Sequence, residues 1–160
     1  MTTGLQLQSN VTASGVLEIT LEDIEFPAPG ENEVLIRVEA SPVNPSDLGL
    51  LLAGADLSAS SSSGTPDRPK LTASLSPAGI AAVKARLDQP LPVGNEGAGV
   101  VVEAGDAPEA QALMGKTVAA LGGAMYAQYR VMPAMNCLVL PDGVTPREAA
   151  SCFVNPLTAL

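Results

Sequence analysis

Apolar residues in this sequence recur at every second position, in short runs separated by proline and glycine. Leu17, Ile19 and Leu21 alternate with polar residues, and Val34, Ile36 and Val38 repeat the pattern. A two-residue period places each set on one face of an extended strand. Pro27-Ala28-Pro29-Gly30 lies between the two runs and reads as a turn. Val100-Val101-Val102, Thr117 to Leu121, Tyr126 to Met132 and Cys137 to Leu140 are further strand candidates, the last running into the turn Pro141-Asp142-Gly143. Many short strands with this punctuation predict a mainly β fold, a barrel or a sandwich.

Helices are expected to be few and short. Asn44-Pro45-Ser46-Asp47 can open one, with Asn44 as N-cap, Pro45 at the first helical position and an acid in the first turn. Asp106 can cap a helix ending near Gly115. Thr145-Pro146-Arg147-Glu148 has the residues of a capping box. Ser76-Pro77 can start a helix whose Ile80, Val83 and Leu87 share a face. Asn155-Pro156 repeats the cap-then-proline signal. Residues 54–90 carry a serine run, Ser58 to Ser63, with recurring proline and glycine, and read as a surface insertion or mobile loop.

The bulk numbers narrow the function classes. One domain suits 160 residues. Hydrophobic residues make up 46% and aromatics 2%, so a real core is expected, built from Val, Leu, Ile, Ala and Met. Seventeen acids against 8 bases give a net charge of −9, which repels nucleic acid and anionic membrane surfaces. No apolar run is long enough to span a bilayer. Cys137 and Cys152 make no disulfide framework and read as buried thiols in a reducing cytoplasm.

Three segments in order, Ala40 to Asp47, Pro92 to Gly105 and Ala149 to Leu160, resemble the medium-chain dehydrogenase/reductase superfamily. Gly115-Lys116-Thr117-Val118 and Tyr126-Ala127-Gln128-Tyr129 fall between them in the family's order. Within the superfamily the sequence looks like the zinc-free quinone oxidoreductase and enoyl reductase branch. The resemblance implies a GroES-like, partly open β-barrel as the substrate half of a subunit, followed by a Rossmann domain. Residues 1–153 are then expected to form the GroES-like catalytic domain, with the insertion at 54–90. Residues 154–160 would start the connecting helix, so that the chain is truncated before its nucleotide-binding half.

The same resemblance bears on metal and cofactor. Zinc-dependent members place metal ligands where this sequence has Asn44, Asn95 and Val154, and the chain contains no histidine. A catalytic zinc needs thiolate or imidazole ligands, so no metal is expected. Hydride would come from NADPH, with NADH as the alternative. Asn44, Thr158 and Asn155 are the candidate cofactor-binding residues. Asn44 has an amide able to donate and accept. In the family the threonine of Thr-Ala bonds the nicotinamide carboxamide, against the simpler reading of a helical threonine bonding back to its own turn. Asn155 is explained equally by helix capping. No catalytic residue is fixed. Asn44 and Asp47 are candidates, Asp47 as a proton donor only if burial raises its pKa. The enoyl reductases carry a tyrosine shortly after the glycine that follows the first helix, whereas Gly54 here is followed by Ala55 and Asp56.

The expected function is reduction of a small electrophilic acceptor, a quinone or an activated alkene, by a cytoplasmic enzyme that could be a homodimer at full length. A trans-2-enoyl-thioester reductase and a non-catalytic GroES-like binding module are the alternatives.

Overall fold

The computed structural model describes residues 1–160. Its strands are β1 (Thr2–Val11), β2 (Val16–Phe26), β3 (Glu33–Ala40), β4 (Asp56–Thr65), β5 (Arg68–Ser74), β6 (Leu91–Pro92), β7 (Glu96–Ala104), β8 (Thr117–Leu121), β9 (Tyr129–Pro133) and β10 (Cys137–Val139). The helices are α1 (Pro45–Leu52), α2 (Pro77–Ala82), α3 (Pro108–Gln111), α4 (Pro146–Ala149) and α5 (Val154–Ala159). Short 3-10 turns occupy Lys84–Arg86 and Ala134–Asn136. No helix is long and apolar enough to cross a membrane. The chain divides into two compact units. One comprises Met1–Gln6, Asp23–Asn44 and Gly94–Leu160, the other Leu7–Glu22 and Pro45–Val93.

The first unit holds an antiparallel sheet in the order β10-β8-β7-β3-β9. Leu35 is buried along with its neighbours, so the strict alternation read there is not kept, but Val34 and Ile36 are fully buried as expected. They pack with Val101, Val118, Ala120, Met125 and Met132 and with the small residues around α3, Ala107 and Ala110. A second cluster, Ala98, Ala119, Ala149 and Ala150, seats α4. The chain compensates for its scarcity of aromatics with small residues that let backbone approach backbone.

The other sheet runs in the order β4-β5-β2-β1-β6, and the second unit holds β4, β5, β6 and the parts of β1 and β2 within Leu7–Glu22. Its core is Val11, Leu17, Ala53 and Leu75, flanked by Ile19, Ile80, Val83 and Leu87. Ser76 caps α2 by accepting from the Gly79 N–H, but the helix is shorter than expected: of Ile80, Val83 and Leu87 only Ile80 lies in it, Val83 is its C-cap and Leu87 follows a 3-10 turn, although all three pack partly buried on this core. Both sheets are antiparallel and neither closes on itself, as a mainly β, partly open GroES-like barrel with short helices requires.

Several expectations need correction. The serine run lies on the surface but is a strand rather than a loop: it is part of β4, an edge strand paired with β5 from Ser61↔Thr72 to Thr65↔Arg68. All ten β4 residues are exposed, so no apolar alternation could announce it. Its ladder holds it, helped by the Ser61–Thr72 hydroxyl contact at 2.7 Å. The strand expected from Tyr126 begins at Tyr129. Helix α3 is capped at Ala107 rather than Asp106, with no side-chain cap bond. The helix expected to be capped at Asn155 and to begin at Pro156 starts two residues earlier, at Val154, with Phe153 at the cap position. The capping box at Thr145 is present with both reciprocal bonds. The long strand β1 has no counterpart among the sequence-based expectations.

The last carbonyls of a helix have no partner within it, and α1 ends on a long-range solution. Ser9 Oγ donates to the carbonyls of Leu50 (3.1 Å) and Leu51 (2.9 Å). Arg86 donates to the Leu50 carbonyl at 2.8 Å and to Ser9 Oγ at 2.8 Å. Burial holds the Arg86 pKa below its ordinary value. Arg86→Ala is expected to cost about 1–2 kcal/mol in a urea titration. Arg86→Lys should recover little, because an ammonium lacks the planar fork that reaches both acceptors.

Candidate functional site

The three sequence segments that carry the resemblance meet in the first unit around one carboxylate. Glu96 opens β7 and is 0% exposed. Its Oε1 accepts from Asn44 Nδ2 at 3.0 Å. Its Oε2 accepts from the backbone N–H groups of Phe153 (2.9 Å) and Val154 (3.1 Å). One side chain thus joins the Asn44 segment, β7 and the start of α5. No side-chain bond caps α5 from its own cap residue, and Glu96 supplies the acceptor instead.

Backbone geometry brings these pieces close. Gly94 has φ +97°, a conformation that glycine adopts without penalty. A Cβ there would lie 2.6 Å from the Tyr126 ring. Tyr126 in turn donates its hydroxyl to the Pro42 carbonyl at 2.9 Å, and Ser41 donates to the Met125 carbonyl at 2.8 Å. The segment 41–44 is thereby fixed against the 94–97 turn and residues 125–126. Tyr126 is thus a brace outside the strand, while Tyr129, on β9, packs against Phe26 with ring centroids 5.9 Å apart.

Beside α5 lies a mainly apolar recess whose lining includes Leu121, Met135, Cys137, Leu138 and Phe153 together with the polar Asn136. Met135 is 90% exposed and Leu138 50%, so the recess is open. Its rim at Gly122 and Gly123 is held by Arg130, whose guanidinium donates to both carbonyls. Burial pushes the Cys137 thiol up to about 11. Burial first, and the Glu96 charge second, also push the Cys152 thiol up. Both thiols are half-buried and free. Thiolate is the reactive form. Alkylation of Cys137 by iodoacetamide at pH 8 should therefore be about a hundredfold slower than for an ordinary thiol. The rate should climb about tenfold per pH unit towards 11, which mass spectrometry of the Cys137 peptide would follow.

The candidate residues fall into two groups. Asn44 and Asp47 are buried, 1% and 2% exposed, and belong to different units. Asn155 and Thr158 are exposed on α5. Thr158 Oγ1 donates to the Val154 carbonyl at 2.6 Å, the bond a helical threonine makes to its own turn. The hydroxyl hydrogen is thereby committed, which leaves the oxygen as an acceptor. Asn155 is in the first turn of α5 and not at its cap. Glu96, the residue that connects the site, was not among the candidates. The available signal is an acid which, apart from its neighbour Asn95, sits among glycine and apolar residues from Pro92 to Val102, where an unpaired charge would be costly.

A zinc site does not suit these residues. Asn44 and Val154 contribute N–H groups to Glu96, no histidine exists, and no three His, Cys, Asp or Glu side chains are grouped to hold a metal.

The description "Alcohol dehydrogenase GroES-like domain" matches residues 30–142. A solved structure named as an NADPH:quinone reductase from Mesorhizobium loti superposes with a TM-score of 0.64 at 28% identity, covering 99% of this chain and 43% of that one. Another so named, from Bacillus thuringiensis, gives 0.67 at 25% identity and covers 99% and 40%. A mycobacterial protein solved with NADPH shares the fold at 23% identity with a TM-score of 0.58, covering 97% and 38%. No curated protein matches. The chain spans about two fifths of the length of these solved relatives. On this sequence match, the chain belongs to the alcohol dehydrogenase GroES-like domain family.

Proposed function

We propose that this chain is the substrate-side domain of a zinc-independent, NAD(P)H-dependent oxidoreductase that reduces quinones or activated alkenes. The observation that carries the reading is the alignment of nearly the whole chain with two proteins named as NADPH:quinone reductases. The replacement of zinc-type ligands by Asn44, Asn95 and Val154 supports the metal-free form of the chemistry. In this reading residues 1–153 form the catalytic domain, and 154–160 begin the connection to a nucleotide-binding domain.

The nicotinamide supplies hydride when bound. The chain's own residues orient and shield. Thr158 Oγ1, its hydrogen engaged by the Val154 carbonyl, offers lone pairs to a carboxamide N–H, and Asn155 stands exposed beside it on α5. Asn44 is held by Glu96 beneath the surface, so it acts on a ligand only through a shift of segment 41–44 or through its neighbours. The apolar recess at Phe153 and Leu138 suits an uncharged acceptor and excludes water from one side of it. The proton comes from solvent in this reading, because Asp47 is buried.

The test is to extend the chain with a C-terminal nucleotide-binding domain and follow NADPH oxidation against quinones, enones and trans-2-enoyl thioesters, with and without a zinc chelator. Turnover of quinones or enones that the chelator does not change is expected. Failure of every acceptor together with failure to bind NADPH would leave the non-catalytic binding module. Preference for the thioester would move the assignment to the enoyl reductases.

A further inference from the structure

We infer that Glu96 is the positioning residue of this site: its buried carboxylate sets where α5 begins and so where Thr158 stands. The role assigned to Thr158 rests on the proposed function; the positioning itself does not.

The argument starts from an electrostatic oddity. Glu96 is completely buried, yet no lysine or arginine pairs with it. A carboxylate removed from water without a counter-ion is costly unless its lone pairs are met by donors. Here three neutral N–H groups meet them: Asn44 Nδ2 on one oxygen, and Phe153 N and Val154 N on the other. Each is a charge-assisted bond, stronger than its neutral counterpart. Their arrangement has a direction. Phe153 and Val154 are the cap and first residue of α5, and the first helical bond, from the Leu157 N–H to the Phe153 carbonyl at 3.0 Å, follows immediately. α5 has six residues and no buried side chain. A helix this short has little stability of its own. Its starting point is therefore fixed by Glu96 more than by packing or propensity. On the opposite oxygen an ionised carboxylate can only accept, so the Asn44 amide is held with its NH2 towards Glu96. The same side chain thus orients Asn44 and anchors α5.

A residue that merely fills space would behave differently. Methionine matches glutamate in length and has no comparable acceptor, while glutamine keeps one oxygen and loses the charge. In the 160-residue chain, hydrogen exchange by NMR would be read at the amides of Phe153, Val154 and Leu157, with β8 amides as internal controls. Positioning predicts exchange faster by roughly ten- to a hundredfold at all three amides in Glu96→Met. It predicts an intermediate, roughly fivefold loss in Glu96→Gln, with unchanged β8 protection. The reciprocal pair Glu96→Gln with Asn44→Asp restores a donor–acceptor match and should recover part of the loss. Unchanged protection in Glu96→Met, or in Glu96→Gln if the methionine variant does not fold, would overturn the inference. Because the readout needs neither cofactor nor acceptor, its failure strikes the positioning claim alone, and absence of turnover strikes the proposed reaction alone.

Discussion

Replacing Gly99 by valine is expected to abolish cooperative folding of the first unit. A Cβ at this position would overlap the Arg37 carbonyl oxygen and lie 2.8 Å from the Arg37 carbonyl carbon and 2.9 Å from Val38 Cα. All of these are backbone atoms of β3, so no side chain can swing aside. Relief requires β3 and β7 to separate along the stretch where Arg37 pairs with Val100 and Val38 with Gly99. That ladder also carries Val34, Ile36 and Val101, three of the buried residues of the main core. The cost should exceed about 3 kcal/mol, against a typical total stability of about 5–15 kcal/mol. Urea denaturation followed by circular dichroism would show a collapsed midpoint or no transition. Gly49→Ala provides the opposite sign. Gly49 lies inside α1 and no heavy atom is within 4 Å of its added Cβ. This variant should gain about 0.5–1 kcal/mol from reduced unfolded-state freedom. A tolerated Gly99→Val would mean that β3 and β7 do not approach as closely as described.

The second large effect is expected at Ile36. It is fully buried in the cluster with Val34, Val101, Val118, Met125 and Met132. Truncation to alanine removes its transfer free energy and leaves a cavity, for a loss of about 2–5 kcal/mol. How far the cavity collapses depends on the neighbours. Ala107, Ala110, Ala120 and Ala134 of the same cluster have no side-chain torsion to turn into the space, whereas Met125, Met132 and Leu113 do. With few flexible members, the loss should fall in the upper part of that range. The exposed Leu138→Ala, half in solvent, serves as the control and should change stability by less than about 1 kcal/mol. Comparable losses in the two variants would contradict the assignment of the core.

Both predictions concern strands that the sequence announces. The apolar residues Val34 and Ile36, the β-branched run at Val100 to Val102 and the glycines around Glu96 are local signals that the structure uses, although Leu35 is buried too and breaks the period of two. The capping box at Thr145 is equally legible, because its two reciprocal bonds span three residues. So is the unsuitability for zinc, which depends on residue type: neither asparagine nor valine supplies an imidazole or a thiolate.

The rest depended on contacts between residues remote in sequence. Strand β4 has no apolar face, so periodicity is silent, and only its pairing with β5 makes it a strand. Ser9 and Arg86 close the end of α1 at the Leu50 carbonyl from separations of 41 and 36 residues. Asn155-Pro156 reads as a helix cap, but the helix starts earlier because Glu96 takes the N–H groups of Phe153 and Val154 from 57 and 58 residues away. The sequence by itself determined the strand-rich fold class, the family resemblance and the absence of a zinc-type ligand set, since these follow from side-chain chemistry and short-range period. Only the tertiary structure decided that a buried carboxylate without a counter-ion ties Asn44 to α5. A lone glutamate has no local signature of its partners, and its cost is met only where distant backbone N–H groups converge on it.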